Sequence, residues 1–239
     1  MKSSAIKVQK RRLTDQIVEK LVSMIAEGKF KPSDRLPPEP ELMKRFHVGR
    51  SSVREAIGAL SLIGLLTVDH GRGTVVSPSL DEALSKSLGW VISTMGPDKV
   101  RELVEARVEL EQSIVRLAVE KGTEQNIAEM RYHNERLRTA KWGSKKLIQA
   151  DLAFHTALAK ASHNTILIRL ASELRQPMRR WMEQKASVDW GYENVFEQHD
   201  EILKGVEARD SQRAQLALRE HLESMGRRLT TILLGRCQK

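Results

Sequence analysis

Asp151 and His155 stand four residues apart, the spacing that stacks two side chains one helical turn apart on a single face. Leu147 and Leu158 share their stripe, so both polar groups point inward. His199 lies in an apolar stripe with Val195, Ile202, Leu203 and Val206, and His221 lies among Ala217, Leu218, Leu222 and Met225. Polar groups on inward faces are costly unless something satisfies them. One carboxylate and three imidazoles form a suitable donor set for a divalent first-row metal with coordination positions left open: zinc first, with nickel, manganese or iron also admissible. The competing reading is a set of core histidines bonded to backbone. His133, beside the Met130/Leu137 stripe, and His163, before Asn164, read as structural or surface groups. Arg107 shares the inward face of its helix with Leu103, Leu110, Ile114 and Leu117, so its charge needs a partner. Glu111, one turn on, is one choice; a carboxylate from outside the chain, gripped by the guanidinium fork, is the other.

A second set of residues lies near the front of the chain. In a helix over 51–63, Val53, Ile57 and Leu60 point inward, which turns Arg50, Ser51 and Arg54 outward at its N-terminal end. A helix start carrying two arginines and the hydroxyls of Ser51 and Ser52 suits a DNA major groove. Backbone N–H groups and serines hold phosphates there, and arginine forks read guanine. Downstream, Thr67–Asp69 and Thr74–Val76 read as short strands, and His70-Gly71-Arg72-Gly73 supplies the residues of a tight hairpin. Gly71 and Gly73 allow backbone to approach a duplex closely; His70 and Arg72 could enter a minor groove or meet phosphates. The alternative is a solvated basic face on a small helical domain.

The elements that position these groups follow from periodicity and punctuation. Leu13, Ile17, Leu21, Met24 and Ile25 define a first helix stopped by Gly28; Pro37 and Pro38 precede a short helix near 39–46, and Gly49 precedes the third. After Pro78 and Ser79 only helical patterns occur, over about 81–95, 98–121, 124–140, 144–162, 165–187, 192–208 and 210–234. The last two turn near Arg209-Asp210. His199 and His221 lie ten and eleven residues from that turn, so in an antiparallel hairpin they stand at similar heights, about 15 Å from it. Composition agrees with a mainly α chain: aromatics are 4%, whereas 40% apolar content is ample for a core. The net charge of +9 is uneven, with 14 Lys or Arg against 8 Asp or Glu in residues 1–79 and 26 against 23 beyond, which points to a polyanionic partner for the front. The most apolar run, Leu62–Val68, is too short to span a bilayer, and the lone Cys237 excludes an internal disulfide. A cytoplasmic protein without a membrane partner is expected.

At this point a resemblance becomes specific. Leu36-Pro37-Pro38-Glu39-Pro40-Glu41-Leu42, Val48-Gly49-Arg50-Ser51-Ser52-Val53-Arg54-Glu55-Ala56, Gly64-Leu65-Leu66 and His70-Gly71-Arg72-Gly73-Thr74 resemble the winged helix-turn-helix of GntR-type bacterial transcription regulators. The resemblance implies DNA contacts from Arg50, Ser51, Ser52, Arg54, His70 and Gly71. Pro40 departs from the family pattern, which often has Arg there, so operator preference does not carry over. Asp151-Leu152-Ala153-Phe154-His155, Ser162-His163-Asn164, Glu197-Gln198-His199 and Arg219-Glu220-His221 are similar to the C-terminal effector domain, FCD, of the FadR subfamily. There, Asp-x-x-x-His and two later histidines bind a metal, and small carboxylates often complete its coordination. The same resemblance places Arg107 at the effector pocket.

The expected architecture is a basic arm over 1–12 and a winged helix-turn-helix (α+β) over 13–77. A linker and first helix over 78–97 then lead to an all-α antiparallel bundle of six to seven helices over 98–234. The expected molecule is a homodimeric transcription regulator, a repressor by family habit, on a palindromic double-stranded DNA operator. Its expected ligands are a divalent metal at Asp151, His155, His199 and His221 and a small carboxylate such as a sugar acid or hydroxy acid at Arg107. Its rivals are a metalloenzyme using the same Asp/His3 set and a regulator whose histidines are only structural.

Overall fold

The structure, a computed structural model, describes residues 12–69, 71, 73–79, 88–141, 144–184 and 194–235. Residues 1–11 of the expected arm over 1–12, His70, Arg72, the helix start over 81–87, the helix ends at 185–187 and 192–193, and Cys237 lie outside the described residues. The chain divides into two compact units, Met1–Ser87 and Leu88–Lys239.

The first unit holds α1 (Leu13–Ala26), α2 (Glu39–Phe46), α3 (Arg50–Leu62), β1 (Leu66–Asp69) and β2 (Gly73–Val76). Its core gathers the apolar face of each helix: Ile17, Leu21 and Ile25 of α1, Leu42 of α2, and Val53, Ala56, Ile57 and Leu60 of α3 pack with Leu36, Leu66 and Val76. Those four positions of α3 recur at helical spacing, and burying them leaves Arg50, Ser51 and Arg54 in solvent. β1 and β2 pair antiparallel, with Leu66 opposite Val76 and Asp69 opposite Gly73. Gly71 (φ +112°) and Gly73 (φ +85°) sit at the hairpin in conformations that side chains rarely adopt. Pro40 falls in the first turn of α2, where the missing N–H would have no intrahelical partner.

Residues 88–93 of the second unit are helical, and a 3-10 turn at Pro97–Lys99 leads into α4 (Val100–Lys121). There follow α5 (Glu124–Thr139), α6 (Lys145–Ala161), α7 (Thr165–Gln184), α8 (Val195–Glu207) and α9 (Ser211–Leu234). Local chemistry starts several of them. Thr123 and Asn126 form a reciprocal capping box at α5, Ser144 accepts the Leu147 N–H at α6, and Asp210 accepts the Arg213 N–H at α9. α4 packs along α9, α5 along α6, and α8 along α9. α8 and α9 approach closely at Gly205, where a Cβ would lie 2.6–2.8 Å from Ala214 atoms. Among the described residues, no helix is long and apolar enough to cross a membrane.

Candidate metal centre and nucleic-acid interface

The four residues singled out by spacing converge. Asp151, His155, His199 and His221 are all buried, and one donor atom from each lies within 4.8 Å of the others. Asp151 and His155 come from adjacent turns of α6, while His199 of α8 and His221 of α9 meet across the hairpin that turns at 208–210. His155 Nε2 is 3.1 Å from His221 Nε2, which is 3.3 Å from His199 Nε2, which in turn is 3.3 Å from Asp151 Oδ1. The His199 ring stacks on Phe154, centroids 4.1 Å apart, which fixes its plane.

The second row of contacts sets the imidazole tautomers. Glu111 of α4 accepts from His155 Nδ1 at 2.9 Å, and Gln198 Oε1 accepts from His221 Nδ1 at 3.0 Å. With both Nδ1 protons committed outward, the two Nε2 atoms of this pair present lone pairs to each other at 3.1 Å. Two lone pairs at that separation repel unless a cation lies between them. Outward hydrogen bonding of this kind is how proteins orient histidine ligands. The donor set therefore fits a divalent metal; bound there, such an ion supplies a Lewis-acidic centre with open positions for an anion.

Electrostatics point the same way. Burial raises the Asp151 carboxyl, but His199 beside it and the fields of His155 and His221 outweigh burial and hold it far below the usual carboxylate range. Glu111 is likewise pushed up by burial and pulled further down by Arg107, His155 and Arg175, so it stays ionised. Burial lowers His155 despite Glu111, and burial together with its two histidine neighbours lowers His221 strongly. The shifts thus favour neutral imidazoles at His155 and His221 and an anionic carboxylate at Asp151, the protonation states that coordination needs.

Arg107 lies beside this cluster on α4. Its Nε donates to Glu111 Oε1 at 2.6 Å, the internal pairing that its spacing allowed, yet the guanidinium is only partly used. Nη1 rests 3.7 Å from the thioether of Met178, a weak acceptor, and the buried Nη2 has no hydrogen-bond partner among the described residues. Arg107, Asp151 and His221 together line a cavity of about 20 Å3.

Two members of this site, Gln198 and Arg175, do not stand out from spacing, and a third, Glu111, has a further role. Glu111, expected from spacing as a partner for Arg107, also fixes His155. Gln198 precedes His199 and is turned to His221 by the α8–α9 hairpin. Arg175 of α7 is 4% exposed and donates from Nε to the Ala171 carbonyl, while its Nη1 has no hydrogen-bond partner among the described residues. Its place on a stripe with Ala171, Met178 and Met182 was a signal of the same kind that marked Arg107. His133 is half-buried, and His163 is exposed and bonded to Asn126; neither joins the cluster.

In the first unit, Arg50 and Arg54 are mostly exposed on one face of α3, with Ser51 exposed and Ser52 half-buried. Both arginines reach back to one carboxylate. Arg50 Nε donates to Glu39 Oε2 at 2.9 Å, and Arg54 Nε to Glu39 Oε1 at 3.0 Å. Their two hydrogen bonds outweigh the small effect of burial and lower the Glu39 carboxyl. Glu39 thus holds the two guanidinium groups side by side, a pairing that periodicity along α3 did not reveal. Gly71 is exposed at the hairpin tip.

Residues 13–76 match the profile of bacterial regulatory proteins of the gntR family, and residues 102–224 match the FCD domain. The chain is similar to the HTH-type transcriptional regulator LutR of Bacillus subtilis (strain 168), 31% identical over 211 residues, or 84% of this chain and 94% of that protein. It is also similar to the HTH-type transcriptional repressor NanR of Klebsiella aerogenes, 31% identical over 237 residues, or 96% of this chain and 89% of that protein. Among solved structures, Streptococcus agalactiae GntR matches with a TM-score of 0.66 and 28% identity, over 90% of this chain and 99% of that one.

Proposed function

The chain belongs to the gntR family of bacterial regulatory proteins and carries an FCD domain, and from this we propose that it is a metal-dependent, carboxylate-responsive repressor. That membership makes it a DNA-binding transcription regulator and not an enzyme.

One observation carries the metal: four donor atoms lie within 4.8 Å, with the outer nitrogens of His155 and His221 already committed to Glu111 and Gln198. Asp151, His155, His199 and His221 would hold the ion, zinc being the first choice for such a set. Arg107 would receive the effector, because it lines the cavity, its Nη1 meets only the Met178 thioether, and its buried Nη2 has no hydrogen-bond partner among the described residues. A small acid spanning the ion and the guanidinium satisfies both at once.

On DNA, Arg50, Ser51, Ser52 and Arg54 at the start of α3 would meet the major groove, and the hairpin carrying His70, Gly71 and Arg72 would flank it. Two copies would read a palindrome, with half-site spacing set by the dimer. The effector would act by favouring one of two dimer geometries, which requires that it bind them with different affinity.

The test begins with tag-free protein. Chelator competition should find one tightly held zinc ion per chain, and His199→Ala should lose it while still binding the duplex selected by wild-type protein from random sequences. Unchanged metal content and effector response in His199→Ala would refute the site and leave the histidines as core residues.

A further inference from the structure

The cavity beside the metal ligands has a second character, read from its walls. Besides Arg107, Asp151 and His221, its lining is Val104, Met178, Met182, Leu222, Met225, Leu229 and Gly226. Among the described residues lining it there is no hydroxyl, no side-chain amide and no further charge. From this we infer that the effector is an acid whose body beyond the carboxylate is apolar, rather than a polyhydroxylated sugar acid. The inference rests on the carboxylate reading given above and specifies the class of that carboxylate.

The physical reason is that a hydroxyl buried without a partner retains its full desolvation penalty. A sugar acid would bring several hydroxyls against thioethers and methyl groups that cannot pair with them. An aliphatic chain instead replaces water by dispersion contacts. Size supports the same reading. The cavity of about 20 Å3 has room for one water at most, so a ligand must displace side chains to enter. Three of the six apolar side chains lining it are methionines, unbranched and able to repack around an apolar guest at small cost.

Met178 links the guanidinium to the apolar lining. Its sulfur occupies the Arg107 Nη1 donor at 3.7 Å. A carboxylate arriving at Nη1 and Nη2 is a far stronger acceptor, so it takes that place and releases the Met178 side chain, which vacates room for the tail.

Hexanoate and gluconate test this directly, because they share a six-carbon chain and a carboxylate and differ in five hydroxyls. Calorimetric titration of the zinc-loaded full chain should show hexanoate binding at least about tenfold tighter than gluconate. Met225→Gln places an amide on the half-buried part of the wall; it should weaken hexanoate by about tenfold with zinc stoichiometry unchanged. Gluconate binding as tightly as hexanoate, or hexanoate affinity unmoved by Met225→Gln, would overturn the apolar body while leaving a carboxylate effector standing. Zinc-loaded protein that binds neither acid would remove the carboxylate reading and this inference together.

Discussion

Replacing Glu111 by Gln tests the carboxylate that joins Arg107 to the ligand His155. The carboxylate uses both oxygens, Oε1 for Arg107 Nε at 2.6 Å and Oε2 for His155 Nδ1 at 2.9 Å, and it is 1% exposed. Gln keeps the volume but offers one carbonyl oxygen, so whichever donor retains it, the other faces an amide NH2. If His155 loses its acceptor, its ring is no longer held with Nε2 toward the other ligands. Loss of such an outer partner lowers metal affinity by about 10–100-fold, or about 1.4–2.8 kcal/mol. The assay is zinc competition against a chromophoric chelator at neutral pH, with circular dichroism as a control for folding. Glu111→Ala is the harsher variant: it strands buried cationic groups and should cost about 3–5 kcal/mol of stability. A zinc affinity within twofold of wild type in a folded Glu111→Gln chain would refute the claim that this carboxylate orients a ligand.

Other perturbations have defined outcomes. Arg50→Ala or Arg54→Ala should weaken operator binding by about 1–3 kcal/mol, and Glu39→Gln should instead tighten binding to any duplex, since it removes the anion that competes with DNA for both arginines; fluorescence anisotropy reads both. Gly205→Ala places a Cβ within 2.6–2.8 Å of Ala214 backbone and side chain, so its melting temperature should fall with a loss of about 1–3 kcal/mol. Metal should be lost on acidification, because coordination needs neutral imidazoles and protons compete for them. Burial lowers His155 and His221, so their neutral forms persist below the ordinary imidazole pKa of about 6.5, and release should begin beneath that pH; metal loss setting in above pH 7 would contradict this.

Much of this protein is legible in its order of residues, for reasons that are local. The Asp151/His155 pair is guaranteed a common face by helical pitch alone. His199 and His221 are brought level by a short turn, because equal distances from the turn along two antiparallel rods mean equal heights. The outward face of α3 follows from where Val53, Ala56, Ile57 and Leu60 must go. The short strands around His70-Gly71-Arg72-Gly73 follow from turn chemistry, the structure adding only Leu66 and Gly73 to them.

What only the tertiary structure decided are contacts between faces that periodicity leaves without an assigned neighbour. Glu111 meets His155 across 44 positions of sequence, Gln198 meets His221 across 23, and Glu39 gathers Arg50 and Arg54 from another helix. A hydrophobic stripe tells a helix which side to bury, but not the rotation or crossing at which it meets its partner. A difference of one helical position would swing Glu111 about 100° away from His155. Side-chain chemistry is written along the chain, whereas the pairing of buried charges is settled by how the helices pack.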